Sequence, residues 1–198
     1  MAAEPVDVTI SGVKGAQLDN VRAHISLLQR QQDEELSDRW VRLLHEDAPG
    51  EIRTALEPFG YYNVEVRSKL ERRDGRWVAS YKIKRGEPVR FSSLELKYVG
   101  DGADMPKLVA KLARFRLKVG DRLNHERYES AKASLIRSAE NAGYVRAQAV
   151  DHEVLVDPDA NTAEIRLTID TGPRYFYGDV SFKQDFLDPE LLQRTVSL

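Results

Sequence analysis

The first part of the chain alternates between the two-residue hydrophobic period of strands and the longer period of helices. Apolar residues occupy alternate positions over 6–10, 64–70 and 77–83, which predicts three strands. They recur every three or four positions over 18–28 and 40–59, which predicts two helices after the first strand. The predicted order is therefore strand, helix, helix, strand, strand.

Turn-forming residues mark the boundaries of these elements. Pro49 lies inside the second helical region and predicts that the helix is interrupted or restarts there, because proline is best tolerated in a first turn. Gly60 is placed to cap the end of that region. Asp74-Gly75 is a strong signal for a tight hairpin between the last two strands. The first helix is predicted to present one apolar face, made of Leu18, Val21, Ile25 and Leu28.

The same order of elements returns in the second part of the chain. An alternating strand over 91–96 precedes two helices, for which Asp104 and Asn124 are the predicted N-caps. Gly143 is predicted to end the second of these helices, and two further strands follow it. The apolar residues of the first of those strands stand at odd positions up to Ala149 and at even positions from Val154. This change between 149 and 154 predicts a β-bulge in that strand.

Two motifs recur at nearly constant offsets, which indicates an internal repeat. Gly60-Tyr61 and Gly143-Tyr144 each follow a helical pattern and open a strand, and they stand 83 residues apart. Gly86 and Gly172 each close a strand shortly before a proline, and they stand 86 residues apart. A third copy is expected to begin with a strand formed by Tyr175, Tyr177 and the alternating residues 180–182.

The repeat divides the chain into units. We expect a leader over 1–5, a first unit over 6–86, a second unit over 87–172 and the start of a third over 173–198. One strand and part of a helix cannot bury an apolar face alone, so the chain is expected to be a piece of a longer protein.

Strand directions predict the topology of each unit. Two helices bring the chain back so that the third strand pairs in parallel with the first, and the hairpin places the second strand outside the third. The predicted fold is α+β, with a three-stranded mixed sheet of order 1-3-2 whose one face is covered by two helices. The second strand then lies on a sheet edge.

Composition excludes several classes of protein. Lys and Arg total 30 against 32 Asp and Glu, so the chain lacks the basic excess of non-specific nucleic-acid binders. It has no cysteine, which excludes disulfides, thiolate metal sites and cysteine nucleophiles and fits an oxidising compartment. No apolar run approaches the ~18 residues of a membrane helix, and the first residues lack the pattern of a signal peptide.

Local motifs carry no enzyme chemistry. Gly100-Asp101-Gly102 fails the dinucleotide fingerprint because Met105 stands in place of its third glycine. Asp157-Pro158-Asp159 imitates a calcium loop, but Thr168 replaces the glutamate that such a loop needs, and a hairpin turn is predicted instead. The histidines fall in no metal-binding spacing. We therefore predict that the chain is not an enzyme and has no catalytic residue, cofactor or metal site.

Two features leave an RNA-binding α+β module as an alternative. Gly12-Val13-Lys14-Gly15 has the spacing of the loop with which KH domains clamp an RNA backbone, and the aromatic run 175–177 could stack bases. A KH loop joins two helices, however, whereas this loop follows a strand. The absence of a basic excess also weighs against it.

The edge strands are the candidate binding site for protein. Such a strand leaves backbone groups unpaired, and these are either guarded by charges or used to bind an incoming strand, a mode called β-augmentation. In the alternative interpretation, the charges of Glu65, Arg67 and Lys69 on the first edge prevent other strands from pairing with it. The candidate residues are Val64, Glu65, Val66, Arg67, Ser68, Lys69 and Leu70 in the first unit, and Val145, Arg146, Ala147 and Gln148 in the second.

The tandem order and its motifs resemble POTRA domains, the periplasmic modules that precede outer-membrane β-barrels. The resemblance is closer still to TamA-like proteins, the outer-membrane subunits of translocation and assembly modules, and it covers nearly the whole chain. The residues that carry it are 18–23, Gly60-Tyr61-Tyr62, 119–124 with Tyr128-Glu129, Gly143-Tyr144 and 172–175. The Pro49-Gly50 pair and the polar run 29–38 depart from the family pattern.

This resemblance implies a function. It predicts a scaffold at the periplasmic face of the outer membrane of a Gram-negative bacterium, which assists the assembly of barrel proteins and autotransporters. The implied partners are a TamB-like inner-membrane-anchored protein, unfolded outer-membrane protein clients and a β-barrel continuous with this chain. The POTRA region of BamA or of a two-partner-secretion transporter is the alternative within the same class.

Overall fold

A computed structural model of the chain describes residues 6–33, 36–176 and 178. The first unit begins with strand β1 and continues through three helices and a short 3-10 turn to a β-hairpin. Its elements are β1 (Val6–Ser11), α1 (Ala16–His24), α2 (Ser26–Gln29), α3 (Asp38–Leu56), the 3-10 turn Glu57–Phe59, β2 (Glu65–Arg73) and β3 (Arg76–Lys84). The second unit repeats the order with β4 (Arg90–Val99), α4 (Pro106–Ala113), α5 (His125–Glu140), β5 (Gln148–Asp157) and β6 (Thr162–Asp170).

Each unit contains one three-stranded mixed sheet, as predicted. The strand orders are β1-β3-β2 and β4-β6-β5. The central strand of each sheet pairs in parallel with the first strand and antiparallel with its hairpin partner. The α+β fold class and the 1-3-2 order are therefore confirmed, and β2 and β5 are edge strands.

The core of the first unit lies between the helices and one face of its sheet. Trp77, Ala79, Tyr81 and Ile83 alternate along β3 and are buried. Val41, Ala48 and Ile52 are among the buried residues of α3 that pack in the same cluster. Each such large apolar side chain contributes about 1.5–3 kcal/mol on burial, which holds α3 on the sheet.

The second core is built in the same way. Ile165, Leu167 and Ile169 are buried in β6, as are Ala163 and Thr168, and Tyr128 and Leu135 belong to the buried face of α5. Buried apolar residues alternate along the strand and recur with a period near 3.6 along the helix, so both patterns are visible in the sequence. The apolar pattern therefore predicted the core strand and core helix of this unit correctly.

The first predicted helix is broken, which corrects the sequence expectation. Ile25 has an extended conformation and separates α1 from α2. Ser26 then binds Glu51 of α3 twice, by its backbone N–H at 2.9 Å and by its hydroxyl. These charge-assisted bonds anchor the start of α2 to α3, a contact 25 residues away that periodicity does not report.

The predicted interruption at Pro49 is wrong, because α3 runs continuously from Asp38 to Leu56. Proline removes one intrahelical hydrogen bond and usually costs ~3 kcal/mol inside a helix. The helix keeps buried residues on both sides of Pro49, including Leu44 and Ile52. Packing of this apolar face outweighs the local cost.

Other local predictions had mixed outcomes. The Asn124 side chain accepts a hydrogen bond from the Arg127 N–H at 2.8 Å and caps α5, as predicted. The predicted cap Asp104 is wrong, since Met105 is the N-cap of α4 and Pro106 is its first residue. The bulge is present between Ala149 and Asp151. The tight turn at Asp74-Gly75 is also confirmed, with φ of 48° and 83° at its two residues.

Three expectations fall outside the described residues. These are the strand over 180–182, the part of a helix expected after it in the third unit, and Tyr177 of the aromatic run. Among the residues that the structure describes, no helix is long and apolar enough to cross a membrane.

Candidate protein-binding edges and the junction between the units

The edge strand β2 pairs with β3 without a bulge and is densely charged. Glu65 pairs with Lys84 on the neighbouring strand at 3.0 Å, and Lys69 pairs with Glu71 at 2.6 Å. Glu71 also pairs with Arg73, and these cations lower the pKa of its carboxyl. Surface ion pairs of this kind contribute little stability. Their charges do discourage uncontrolled pairing of an exposed strand edge.

The edge strand β5 carries fewer charges and more exposed apolar surface. Val150 is the extra residue of the bulge and is 52% exposed. Leu155 is 45% exposed, and it stands opposite Glu164 on the outer face of the sheet. The half-buried Val154 and Val156 flank it. The part of β5 that follows the bulge is therefore the less guarded of the two edges.

The structure places most but not all of the predicted site residues on these edges. Residues 65–70 belong to β2, and Gln148 is the first residue of β5. Val64 lies just before β2 and is buried in the first core, so it does not belong to the edge. Val145, Arg146 and Ala147 form a turn that precedes β5. The alternation of the apolar residues Val145, Ala147 and Ala149 made that turn look like part of the strand.

The two units meet at a junction that sequence reasoning did not identify as a site. The Gly60 carbonyl accepts a hydrogen bond from the Val89 N–H at 2.8 Å, and the Val89 carbonyl accepts one from the Leu123 N–H at 2.9 Å. The Tyr62 hydroxyl lies 3.1 Å from Nε2 of His125, at the start of α5. Burial raises the pKa of Tyr62, and nearby Glu57 adds to the effect.

Side chains bridge the ends of the two edge strands at this junction. Asn63, two residues before β2, donates to the Pro158 carbonyl at 2.6 Å, one residue after β5. The guanidinium groups of Arg85 and Arg122 lie over the ring of Tyr61, at 5.1 and 5.5 Å from its centre. Such cation–π contacts are favourable, and here one comes from each unit.

A glycine is required at the centre of the junction. Gly60 has φ of +81°, and a Cβ there would overlap the backbone of Leu123. Gly86 has φ of +73°, and a Cβ there would lie 2.7 Å from the Asn63 carbonyl oxygen. The repeated glycines were the signal in the sequence that marked this place, although the pattern did not reveal what they contact.

The candidate chemical motifs have structural roles. Asp157 accepts hydrogen bonds from the N–H groups of Asp159 and Ala160, both at 3.0 Å, so it closes the hairpin loop. Gly15 precedes α1 and Gly12 packs against the Ile83 carbonyl, which places both in a turn after β1. Within the described residues, no group of three or more acidic, histidine or cysteine side chains could hold a metal ion.

Comparison with known proteins addresses the fold directly. The family model for the first POTRA domain of TamA matches residues 7–85. The match spans nearly the whole of the first unit, which is therefore similar to this POTRA domain. The second unit repeats the same order of elements and the same sheet, so the chain carries the POTRA fold twice in tandem.

Solved structures are similar to the chain at low identity. They include POTRA domains 3–5 of BamA from Haemophilus influenzae, at 15% identity and TM-score 0.45, covering 98% of this chain and 76% of that one. POTRA domains 1–2 of the periplasmic domain of Omp85 from Anabaena show 17% identity and TM-score 0.37, covering 88% and 97%. CdiB from Escherichia coli shows 14% identity and TM-score 0.34, covering 88% and 28%.

Proposed function

We propose that this chain is the periplasmic POTRA scaffold of a TamA-like outer-membrane assembly factor. The observation that carries the proposal is the match of residues 7–85 to the first POTRA domain of TamA. The tandem arrangement supports it, because a scaffold of this kind presents several sheet edges to extended clients. The chain acts by binding polypeptide and carries out no catalysis.

The edges β2 and β5 are the proposed sites for client strands. A strand edge binds an extended chain through main-chain hydrogen bonds, which are independent of client sequence, while shallow pockets for side chains supply preference. The β5 edge is the better acceptor, because Leu155 and its neighbours offer apolar contacts where β2 offers charges. The ends of the two edges lie together at Asn63, so one client can contact both.

The first unit is also the proposed docking module for a TamB-like inner-membrane-anchored partner. This follows from the resemblance to TamA, in which the first POTRA domain is associated with that partner. We expect the partner to copurify with the full-length protein and to be lost when residues 6–86 are removed. Retention of the partner by the shortened protein would contradict this part of the proposal.

Site-specific photocrosslinking in the full-length protein tests the edge sites. A photoreactive residue replaces Lys69 on β2 or Leu155 on β5, with Leu43 on α3 and Val109 on α4 as matched exposed controls. We expect crosslinks to unfolded barrel proteins from the two edges at several times the yield of the helix controls. Equal yields at edges and helices would contradict strand addition.

A further inference from the structure

The second unit carries a local excess of positive charge, although the charges of the whole chain are nearly balanced. The chain has 30 Lys and Arg against 32 Asp and Glu. Residues 105–118, which contain α4 and the loop after it, hold no Asp or Glu. The cations of this segment are Lys107, Lys111, Arg114, Arg116 and Lys118. The excess is therefore confined to one part of the surface.

The rest of the fold does not neutralise these cations. Among the residues that the structure describes, their side chains form no ion pair, and neither does that of Arg127 near the start of α5. Cations elsewhere are paired, as Lys132 is with Glu129 at 2.8 Å and Lys84 is with Glu65 at 3.0 Å. The charges of this segment are therefore available to a ligand from outside the chain.

The stability of α4 does not account for the arrangement either. Lys107 lies in the first turn of the helix, where the helix dipole favours an acidic side chain, and that turn has none. Lys111 follows four residues later on the same stripe, a spacing at which like charges repel, and only its place in the last turn is favourable. Arg114, the residue after the helix, continues the stripe. A bound anion would relieve this repulsion.

An open cavity follows this stripe along the chain. It has a volume of about 330 Å³ and lies between the loop after α4 and the first turns of α5. It is lined by Arg116, Leu117, Glu126, Arg127, Ser130 and Ala131. The buried Leu117 and Ala131 form its apolar part. Two guanidinium groups and one carboxylate leave a single positive charge, which one carboxylate from a ligand neutralises.

We propose that this basic surface binds an acidic polypeptide segment of a partner protein, with one carboxylate of the segment in the cavity. The planar fork of an arginine binds a carboxylate through two parallel hydrogen bonds. Further acidic side chains of the segment would lie along the stripe on α4. The basic surface consists of Lys107, Lys111, Arg114, Arg116, Lys118 and Arg127.

A bilayer of anionic lipids is the competing ligand, because clustered cations also attract lipid headgroups. The cavity favours polypeptide, since a recessed site with one net charge accepts a single side chain. This surface includes no residue of the sheet edges β2 and β5. The inference therefore goes beyond the proposed function and does not depend on client strands binding there.

Binding of a fluorescent peptide of alternating glutamate and serine to the full-length protein tests the proposal, by anisotropy at about 150 mM salt. Combining Arg116→Gln with Arg127→Gln should weaken binding about tenfold or more, because charge-assisted hydrogen bonds are lost. Arg39→Gln is the control, since it removes an exposed arginine of α3 in the first unit and should leave binding unchanged. Absence of binding to the parent protein, or an equal loss in both variants, would overturn the proposal.

A variant that gains affinity keeps the test independent of misfolding. Glu126→Gln removes the carboxylate that opposes the ligand in the cavity and should tighten binding of the glutamate peptide about threefold. A matched peptide of glutamine and serine should bind neither the parent nor this variant. Unchanged or weaker binding of the glutamate peptide by Glu126→Gln would contradict the proposed position of the carboxylate.

Two measurements address the competing ligands. Vesicles of phosphatidylglycerol should sediment little of the protein, and the protein should show no self-association that the Arg116→Gln and Arg127→Gln pair abolishes. Vesicle binding that depends on these two arginines, without binding of the peptide, would identify a membrane contact. Self-association that depends on them would identify a second copy of the chain as the ligand. Either outcome overturns the proposal.

Discussion

At the scale of single residues, two tyrosines of the second core differ in whether the hydroxyl has a partner. Tyr98 donates to the Leu135 carbonyl at 2.8 Å, whereas the buried Tyr128 hydroxyl has no hydrogen-bond partner among the described residues. Burial raises the pKa of each to about 12, so both hydroxyls keep their protons at neutral pH. The two residues therefore allow the effect of a hydrogen-bonded buried hydroxyl on the free energy of unfolding to be compared with that of an unpaired one.

We predict opposite effects of removing these hydroxyls. Tyr98→Phe loses a buried hydrogen bond and should lower the free energy of unfolding by about 1 kcal/mol. Tyr128→Phe removes an unpaired polar atom and should leave that free energy unchanged or raise it by about 1 kcal/mol. Urea unfolding of the two variants measures both. A greater loss for Tyr128→Phe than for Tyr98→Phe would contradict the assigned partners.

His45 and Tyr81 give the first unit a pH-dependent contact. Nδ1 of His45 lies 2.9 Å from the Tyr81 hydroxyl. Burial lowers the pKa of His45, against a smaller opposing effect of Glu46, and burial raises the pKa of Tyr81. The tyrosine therefore donates, and the neutral imidazole accepts.

We predict that the stability due to this contact is lost in mild acid. Because the pKa of His45 is lower in the folded protein, the contribution is fully present above the unfolded value of about 6.5 and falls as pH decreases through the folded value. Thermal unfolding between pH 8 and pH 5 should show this decline, and His45→Gln should flatten it. An unchanged slope in that variant would count against the contact.

At the scale of elements, α3 shows packing overriding local preference. It accommodates both Pro49 and Gly50 because its apolar face is buried along its whole length. Gly50 is exposed, with no positive φ and nothing within 4 Å of an added Cβ. The glycine is therefore tolerated in the helix and is not required by it.

We predict that Gly50→Ala stabilises the protein by about 0.5–1 kcal/mol, because alanine loses less backbone entropy in a helix. The matched control is Gly12→Ala, where φ is +96° and an added Cβ would overlap the Ile83 carbonyl, so that variant should be clearly destabilised. Calorimetric unfolding midpoints measure the two. A lower midpoint for Gly50→Ala would show that the helix needs the glycine.

The sequence pattern predicted elements well where one periodicity governs them. The alternation in β3 identified its buried face correctly, and the change of parity located the bulge in β5. The pattern failed where contacts between residues distant in sequence determine the backbone conformation. The break at Ile25 depends on the bonds between Ser26 and Glu51, and no local pattern contains that information.

At the scale of the whole molecule, the junction links the two cores. Its contacts join residues 63 and 95 positions apart, as in Tyr62 with His125 and Asn63 with Pro158. The repeated glycines could be found in the sequence, but the residue after each Gly-Tyr pair differs between copies, being Tyr62 in one and Val145 in the other. The junction side chains could therefore not be deduced from the repeat alone.

We predict that the junction makes the two units unfold together. Replacing both Tyr62 and Asn63 with alanine removes the side-chain bonds to the second unit and should split one calorimetric transition into two. The control is Lys84→Ala, which removes the exposed ion pair with Glu65 on the same unit and should leave a single transition. Identical traces for the double variant and the parent would indicate that the units are already independent.

The central claim is that a client adds as a strand to the exposed part of β5. Hydrogen exchange of the backbone amides tests it directly, with a ten-residue peptide of alternating apolar and polar residues as the client and a proline-interrupted version as control. The account predicts slower exchange over residues 152–157 with the alternating peptide and no change with the proline peptide. Slowing confined to α3 and α5, or equal slowing with both peptides, would contradict it.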